Sequence, residues 1–158
     1  MKNKFLAGYF LAFCFYIEIV SAQLSLPLKV LKSTSAYGYR LHPLSGKFSF
    51  NSGVDLRASY DSVFAVLRGN VLTTAYNPVL GLYVSLGHAE FCTTYGHLSR
   101  ILVNPGDAVG AGQLIAISGE TGHVTAPHLH FAVRFRNKHL DPLLFLVLIS
   151  NNLYTKNN

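Results

Sequence analysis

Cysteine is nearly missing from this chain, with two residues, Cys14 and Cys92, among 158. Cys14 falls in an apolar N-terminal leader, so the remainder keeps a single thiol that cannot form an internal disulfide, and Cys92 reads as a buried apolar residue. Charge is scarce as well. Asp, Glu, Lys and Arg make up 13% of the residues against 50% hydrophobic ones, the reverse of the balance that keeps a chain disordered, so a disordered regulator is excluded. Acids are the scarcer sign, 7 against 13 Lys and Arg, for a formal +6, which inclines the chain toward polyanions. Yet there is no Lys/Arg-rich run, and the cations stand singly or in loose pairs, so no nucleic-acid partner is expected. Helical periodicity is almost lacking from Gln23 onward, and no internal repeat and no apolar run of the ~20 residues a spanning helix needs stands out. The length suits one domain.

What is present begins with a leader. Lys2 and Lys4 precede an apolar run from Phe5 to Ile17, followed by Val20, Ser21 and Ala22. Positive, greasy, then small is the order of a secretory signal, with cleavage expected after Ala22; retention as an anchor is the alternative. Phe13 before Cys14 argues against a lipid attachment there. Without Lys2, Lys4 and Glu18 the exported part keeps 11 basic and 6 acidic side chains, or +5. The protein is expected outside the cytoplasm, in the periplasm or at the cell wall.

From Gln23 onward, short β-rich runs are separated by turn-forming residues about every ten positions, which predicts an all-β domain built on an antiparallel sheet of sandwich-hybrid type. The strands are expected at Ser62 to Leu67, Asn70 to Tyr76, Leu82 to Gly87, Phe91 to Tyr95, Gln113 to Ser118 and His128 to Phe135. Asn77-Pro78, Gly87-His88, Asn104-Pro105-Gly106-Asp107 and Gly119-Glu120-Thr121-Gly122 mark the turns. Residues 23–50 read as irregular, Leu143 to Ile149 as a strand or short helix, and Asn151 to Asn158 as a polar tail.

Three elements carry candidate chemistry. In Pro127-His128-Leu129-His130-Phe131 the two imidazoles lie two apart on a predicted strand and so share a face. Imidazole is a usual zinc ligand, although an isolated pair of this kind is equally a solvated strand face. In Asn51-Ser52-Gly53-Val54-Asp55-Leu56, Asp55 supplies a carboxylate and Gly53 permits close backbone approach, where the plainer role for Asp55 is a turn or cap. In Tyr95-Gly96-His97-Leu98-Ser99, His97 ends an apolar strand and either faces a groove or sits at an edge.

Taken together and in order, these strings resemble the lysostaphin-like, LytM-type zinc endopeptidases of peptidoglycan. The resemblance runs from about Tyr37 to Pro142. It takes in Tyr39-Arg40-Leu41-His42-Pro43 with Gly46, Gly53 to Ala58, Gly81-Leu82-Tyr83-Val84, Tyr95 to Ser99, Gly106 to Val109, Thr121-Gly122, Pro127 to Phe131 and Asp141-Pro142. It implies a signal segment over 1–22, an arm over 23–36, the peptidase domain over 37–142 and a C-terminal apolar segment and tail over 143–158. It further implies zinc as cofactor, Asp55 and His130 as metal ligands, His97 and His128 as catalytic residues, and peptidoglycan peptides as substrate, with another wall hydrolase as a further partner. A zinc-bound water and a neighbouring imidazole would then serve in place of a serine or cysteine nucleophile.

One position departs from the pattern. The first zinc ligand of the family is a histidine four residues before the aspartate, and here that residue is Asn51, whose neutral amide is a poorer ligand. Three readings stay open: Asn51 coordinates weakly through its carbonyl oxygen, His42 substitutes for it, or the domain binds peptidoglycan or activates a hydrolase without cutting. A carrier-domain reading of Val103 to Leu114, which resembles a biotinyl or lipoyl hairpin, fails because no lysine lies between Arg68 and Lys138 to carry the group.

Overall fold

The computed structural model describes residues 24–41, 46 and 48–148. The expected signal segment, His42 and the polar tail lie outside the described residues. Among those described, nearly all regular structure is β, as the composition and turn spacing predict. The strands are β1 (Ser33–Ser35), β2 (Gly38–Leu41), β3 (Phe48–Asn51), β4 (Val54–Arg57), β5 (Ser62–Phe64), β6 (Gly69–Asn77), β7 (Gly81–His88), β8 (Phe91–Ile101), β9 (Ala108–Val109), β10 (Leu114–Ser118), β11 (His128–Phe135) and β12 (Lys138–Leu140). One large sheet runs β1-β4-β11-β8-β7-β6-β9, with β10 joining β5 to β8 and β12 extending β11, while β2 and β3 form a separate hairpin. Every pairing is antiparallel.

The alternation of apolar and polar residues fixes the register at the centre of the sheet. Leu129, Phe131 and Val133 of β11 and Val54 and Leu56 of β4 are fully buried, and Leu129 pairs with Leu56 while Phe131 pairs with Val54. Phe131 also faces Tyr95 of β8, their ring centroids 5.3 Å apart. Each such side chain contributes about 1.5–3 kcal/mol on burial. A slip of one residue would turn this whole set to solvent, so the pairing is strongly specified. The intervening residues, Asp55 on β4 and His128 and His130 on β11, consequently face the other way.

One segment differs from expectation. The stretch 23–50, read as irregular, carries β1, β2 and β3. The hairpin hides its pattern because its outward positions are apolar: Tyr39, Leu41, Phe48 and Phe50 are all exposed, while Arg40 and Asn51 turn inward. Tyr39 and Phe50, cross-strand partners, meet edge to face at 5.1 Å. The apolar C-terminal run resolves as a helix over residues 142–148. Asp141 caps it, its Oδ1 accepting the amide of Leu143 at 2.9 Å, and Pro142 stands at the first helical position where no donor is needed. Leu146 anchors this helix in the core.

A candidate active-site groove

Antiparallel pairing of β4 with β11 sets His130 directly opposite Asp55 and His128 opposite Arg57. Asp55 and His130 are each 6% exposed, deep enough that a carboxylate needs partners. His130 Nδ1 lies 2.9 Å from Asp55 Oδ1, and His128 Nε2 lies 3.8 Å from the same oxygen. The other oxygen, Oδ2, is held from the hairpin, by Arg40 Nη2 at 3.1 Å and Asn51 Nδ2 at 3.4 Å. Gly53 makes this closeness possible. A Cβ there would stand 2.5 Å from the carbonyl oxygen of Phe131 and 2.7 Å from the His130 ring, so no side chain fits.

His97 reaches the same face through a β-bulge. Strict alternation from Tyr95 would turn His97 inward and Leu98 outward. The register of β8 against β7 shifts instead, pairing Tyr95 with Val84 but Leu98 with Leu82. His97 adopts φ 59°, and its amide donates to the carbonyl of Leu80 at 2.7 Å. A left-handed conformation at a non-glycine residue costs about 1–2 kcal/mol, and here it leaves Tyr95 and Leu98 both buried while aiming His97 into the groove. Its ring centroid lies 4.5 Å from that of His128 and 5.8 Å from that of His130. Asp55, His97, His128 and His130 are thus brought together on one face. Beside them a cleft of about 330 Å³ extends between Ser52, Leu72, Tyr83, Thr94 and Arg134.

Hydrogen bonding fixes which nitrogens do what. His97 Nδ1 donates to the carbonyl of Thr121 at 2.9 Å, and burial, with smaller contributions from His128 and His130, pulls its pKa down to about 4. The ring is neutral at neutral pH, so Nε2 carries a lone pair that can accept a proton or a hydrogen bond. His128 Nδ1 is engaged with the carbonyl of Ala126 at 2.9 Å, which leaves Nε2 toward Asp55. Burial on its own would raise the Asp55 pKa. The hydrogen bond from His130, with the charges of His130, His128 and Arg40, outweighs that and holds the carboxyl below its ordinary value.

Whether this set suits zinc turns on Asn51. Asp55 Oδ1 and His130 Nδ1 are donors of the right type, and their 2.9 Å separation is close to the ~3 Å span of two ligands sharing an ion at ~2 Å. Asn51 presents the wrong end of its amide. Nδ2 donates to the carbonyl of Ala36 at 3.2 Å and points at Asp55, while Oδ1 accepts the amide of Gly53 at 3.3 Å. Flipping the amide would set its oxygen against two other acceptors, so the orientation is fixed by its neighbours. Among the described residues the zinc set is therefore incomplete at the third position.

Sequence reasoning did not single out two residues that shape this site. Arg40 was visible only as part of the string Tyr39 to Pro43, and its role depends on the hairpin folding over β4. Thr121 was visible as a turn residue. Its hydroxyl accepts the amide of Leu82 at 2.9 Å and donates to the carbonyl of Leu98 at 2.7 Å, so its own carbonyl is fixed where His97 needs it.

Comparison with known proteins identifies the family. Residues 49–142 match the family model for peptidase family M23. Peptidoglycan DD-endopeptidase ShyB of Vibrio cholerae is 37% identical over 106 residues, 66% of this chain and 25% of that protein. Among solved structures, a zinc-containing peptidase from Vibrio cholerae superposes with a TM-score of 0.66 at 32% identity, covering 77% of this chain and 38% of the other. The catalytic domain of lysostaphin from Staphylococcus simulans does so with a TM-score of 0.65 at 31% identity, covering 73% and 92%. The chain spans about a quarter of the length of the curated relatives it matches. With the family model matched over residues 49–142 and an antiparallel sheet like that of lysostaphin, the chain belongs to peptidase family M23.

Proposed function

We propose that this domain binds the peptide chains of peptidoglycan along the groove, outside the cytoplasm, in the periplasm or at the cell wall. The observation that carries this reading is the convergence of Asp55, His97, His128 and His130 beside an open cleft, in a chain similar to peptidoglycan DD-endopeptidases. The export part rests on the residues from Lys2 to Ala22. Because Asn51 offers donors where a third metal ligand belongs, binding is the activity the groove supports most directly, either on its own or in support of a separate wall hydrolase.

Hydrolysis of those peptides, with zinc as cofactor, Asp55 and His130 as ligands, Asn51 as a weak ligand and His97 and His128 as catalytic residues, is a second reading. The 2.9 Å Asp55–His130 pair favours it. One experiment separates the two. Purified protein is sedimented with isolated peptidoglycan, its zinc content measured, and cross-linked wall peptides followed for cleavage with and without chelator. Co-sedimentation with little zinc and no cleavage is expected. Equimolar zinc with chelator-sensitive cleavage would establish the hydrolase, and neither sedimentation nor cleavage would overturn both. Asn51→His supplies the missing imidazole and should make the melting temperature zinc-dependent, since ligand at a hundredfold over Kd adds about 2.7 kcal/mol of stability.

A further inference from the structure

We infer that Arg57, with Lys29 and Lys32, forms a carboxylate-binding subsite at the His128 end of the groove, taking a free carboxylate of a peptidoglycan stem peptide. This rests on the peptide-binding reading above. Arg57 lies two residues after Asp55 on β4, so it shares the groove face, and its register partner is His128. Its amide donates to the carbonyl of Lys32 at 2.8 Å, which holds the segment carrying both lysines against β4. There a cavity of about 450 Å³ opens, with Leu28, Lys29, Lys32, Arg57 and Asp61 among its walls. Arg57, the register partner of His128, is the wall residue that lies on the groove face of β4.

The charges of this cavity are uncommitted in a way that others are not. Arg40 is paired with Asp55 and Arg136 with Glu90, whereas among the described residues no carboxylate is ion-paired with Arg57, Lys29 or Lys32. Asp61, the one acid of the lining, has its Oδ2 occupied by the amide of Ser59 at 2.8 Å. Three cations around one concavity with a single acid favour an anion. A guanidinium fork matches a carboxylate through two parallel hydrogen bonds. Spacing agrees with a peptide: at about 3.3 Å per residue, Arg57 stands ~7 Å along the strand from Asp55, two residues of an extended ligand lying over the central site.

The test uses the full chain and a synthetic stem peptide in two forms, one with a free C-terminal carboxylate and one with the C-terminal amide, titrated by calorimetry. The acid is expected to bind about tenfold more tightly, as for a hydrogen-bonded pair of charges, with the preference shrinking at high salt. Arg57→Gln should reduce the acid-to-amide ratio to near one. The exposed pair Lys29→Gln with Lys32→Gln should lower it severalfold, which keeps the test valid should Arg57→Gln fold poorly. An unchanged ratio in both variants overturns the subsite while leaving peptide binding intact. Equal affinity of the unmodified protein for acid and amide, with tight binding of a phosphate-bearing wall polymer instead, overturns it in favour of that polymer. Binding of neither peptide overturns the peptide-binding reading itself.

Discussion

Thr121→Val replaces a hydroxyl with a methyl of nearly the same shape and tests how the groove is held together. The Thr121 hydroxyl bridges the amide of Leu82 and the carbonyl of Leu98 beside the bulge that displays His97. Valine leaves both partly buried groups without this partner. A net hydrogen bond is worth about 1 kcal/mol and an orphaned buried group costs up to ~3, so a loss of about 2–3 kcal/mol is expected for the pair. At roughly 4 °C per kcal/mol for a domain of this size, the melting temperature should fall by about 8–12 °C. Because the carbonyl of the same residue accepts the proton on His97 Nδ1, the variant should also release the tautomer of that ring. Nitrogen-edited NMR should show His97 as a single Nδ1-protonated species in the parent and a mixture in the variant. Thr121→Ser keeps the hydroxyl and should restore the tautomer and most of the stability. A valine variant as stable as its parent, with His97 unchanged, would refute the role given to this junction.

Gly53→Ala places a Cβ 2.5 Å from the carbonyl oxygen of Phe131, which cannot move without breaking the sheet, and 2.7 Å from the His130 ring, which must swing away. A loss of about 1–3 kcal/mol is expected, measured by urea denaturation, together with loss of the His130–Asp55 hydrogen bond in NMR spectra. His88 is 8% exposed, lies 2.9 Å from the carbonyl of Arg68 and 2.8 Å from Thr93 Oγ1, and burial lowers its pKa below the usual 6.5. Below that pH the unfolded chain binds the proton and the folded one resists it, so stability is full above pH 6.5 and declines as pH falls through the folded value. His88→Gln should flatten this slope in melting curves taken between pH 7 and 5, and an equally steep slope in the variant would exclude His88 as its source.

The parts of this structure that were legible in the sequence are those governed by local alternation. His128, Leu129, His130 and Phe131 alternate as a strand with one buried face, so both the sheet and the shared direction of the two imidazoles could be read directly. His97 was legible as a residue but not in its geometry. Its strand continues to Ile101 instead of ending at Tyr95, and the bulge that preserves the core on both sides of it depends on the carbonyl of Leu80, which no local pattern reveals. The hairpin was hidden for a different reason. Its aromatic residues face outward, inverting the rule by which buried faces are recognised, so its inward residues, Arg40 and Asn51, gave no sign of reaching Asp55.

Those two inward residues divide the Asp55 carboxylate between two tasks. Oδ2 belongs to the hairpin, held by Arg40 and Asn51, and Oδ1 belongs to the groove, shared by His130 and His128. A carboxylate this buried would shift toward its neutral form unless hydrogen bonds and positive charge compensated the lost hydration. Arg40 supplies a permanent charge and the Asn51 amide a further donor. A neutral imidazole at position 51 would offer a single N–H in place of the two that Asn51 directs to Asp55 and Ala36. Asparagine therefore suits a site whose carboxylate is stabilised by protein donors, as histidine would suit one stabilised by a metal. In the arrangement seen here, Oδ1, the lone pair of His97 and the His128 ring face the groove, while the charge of Arg40 stays committed behind them.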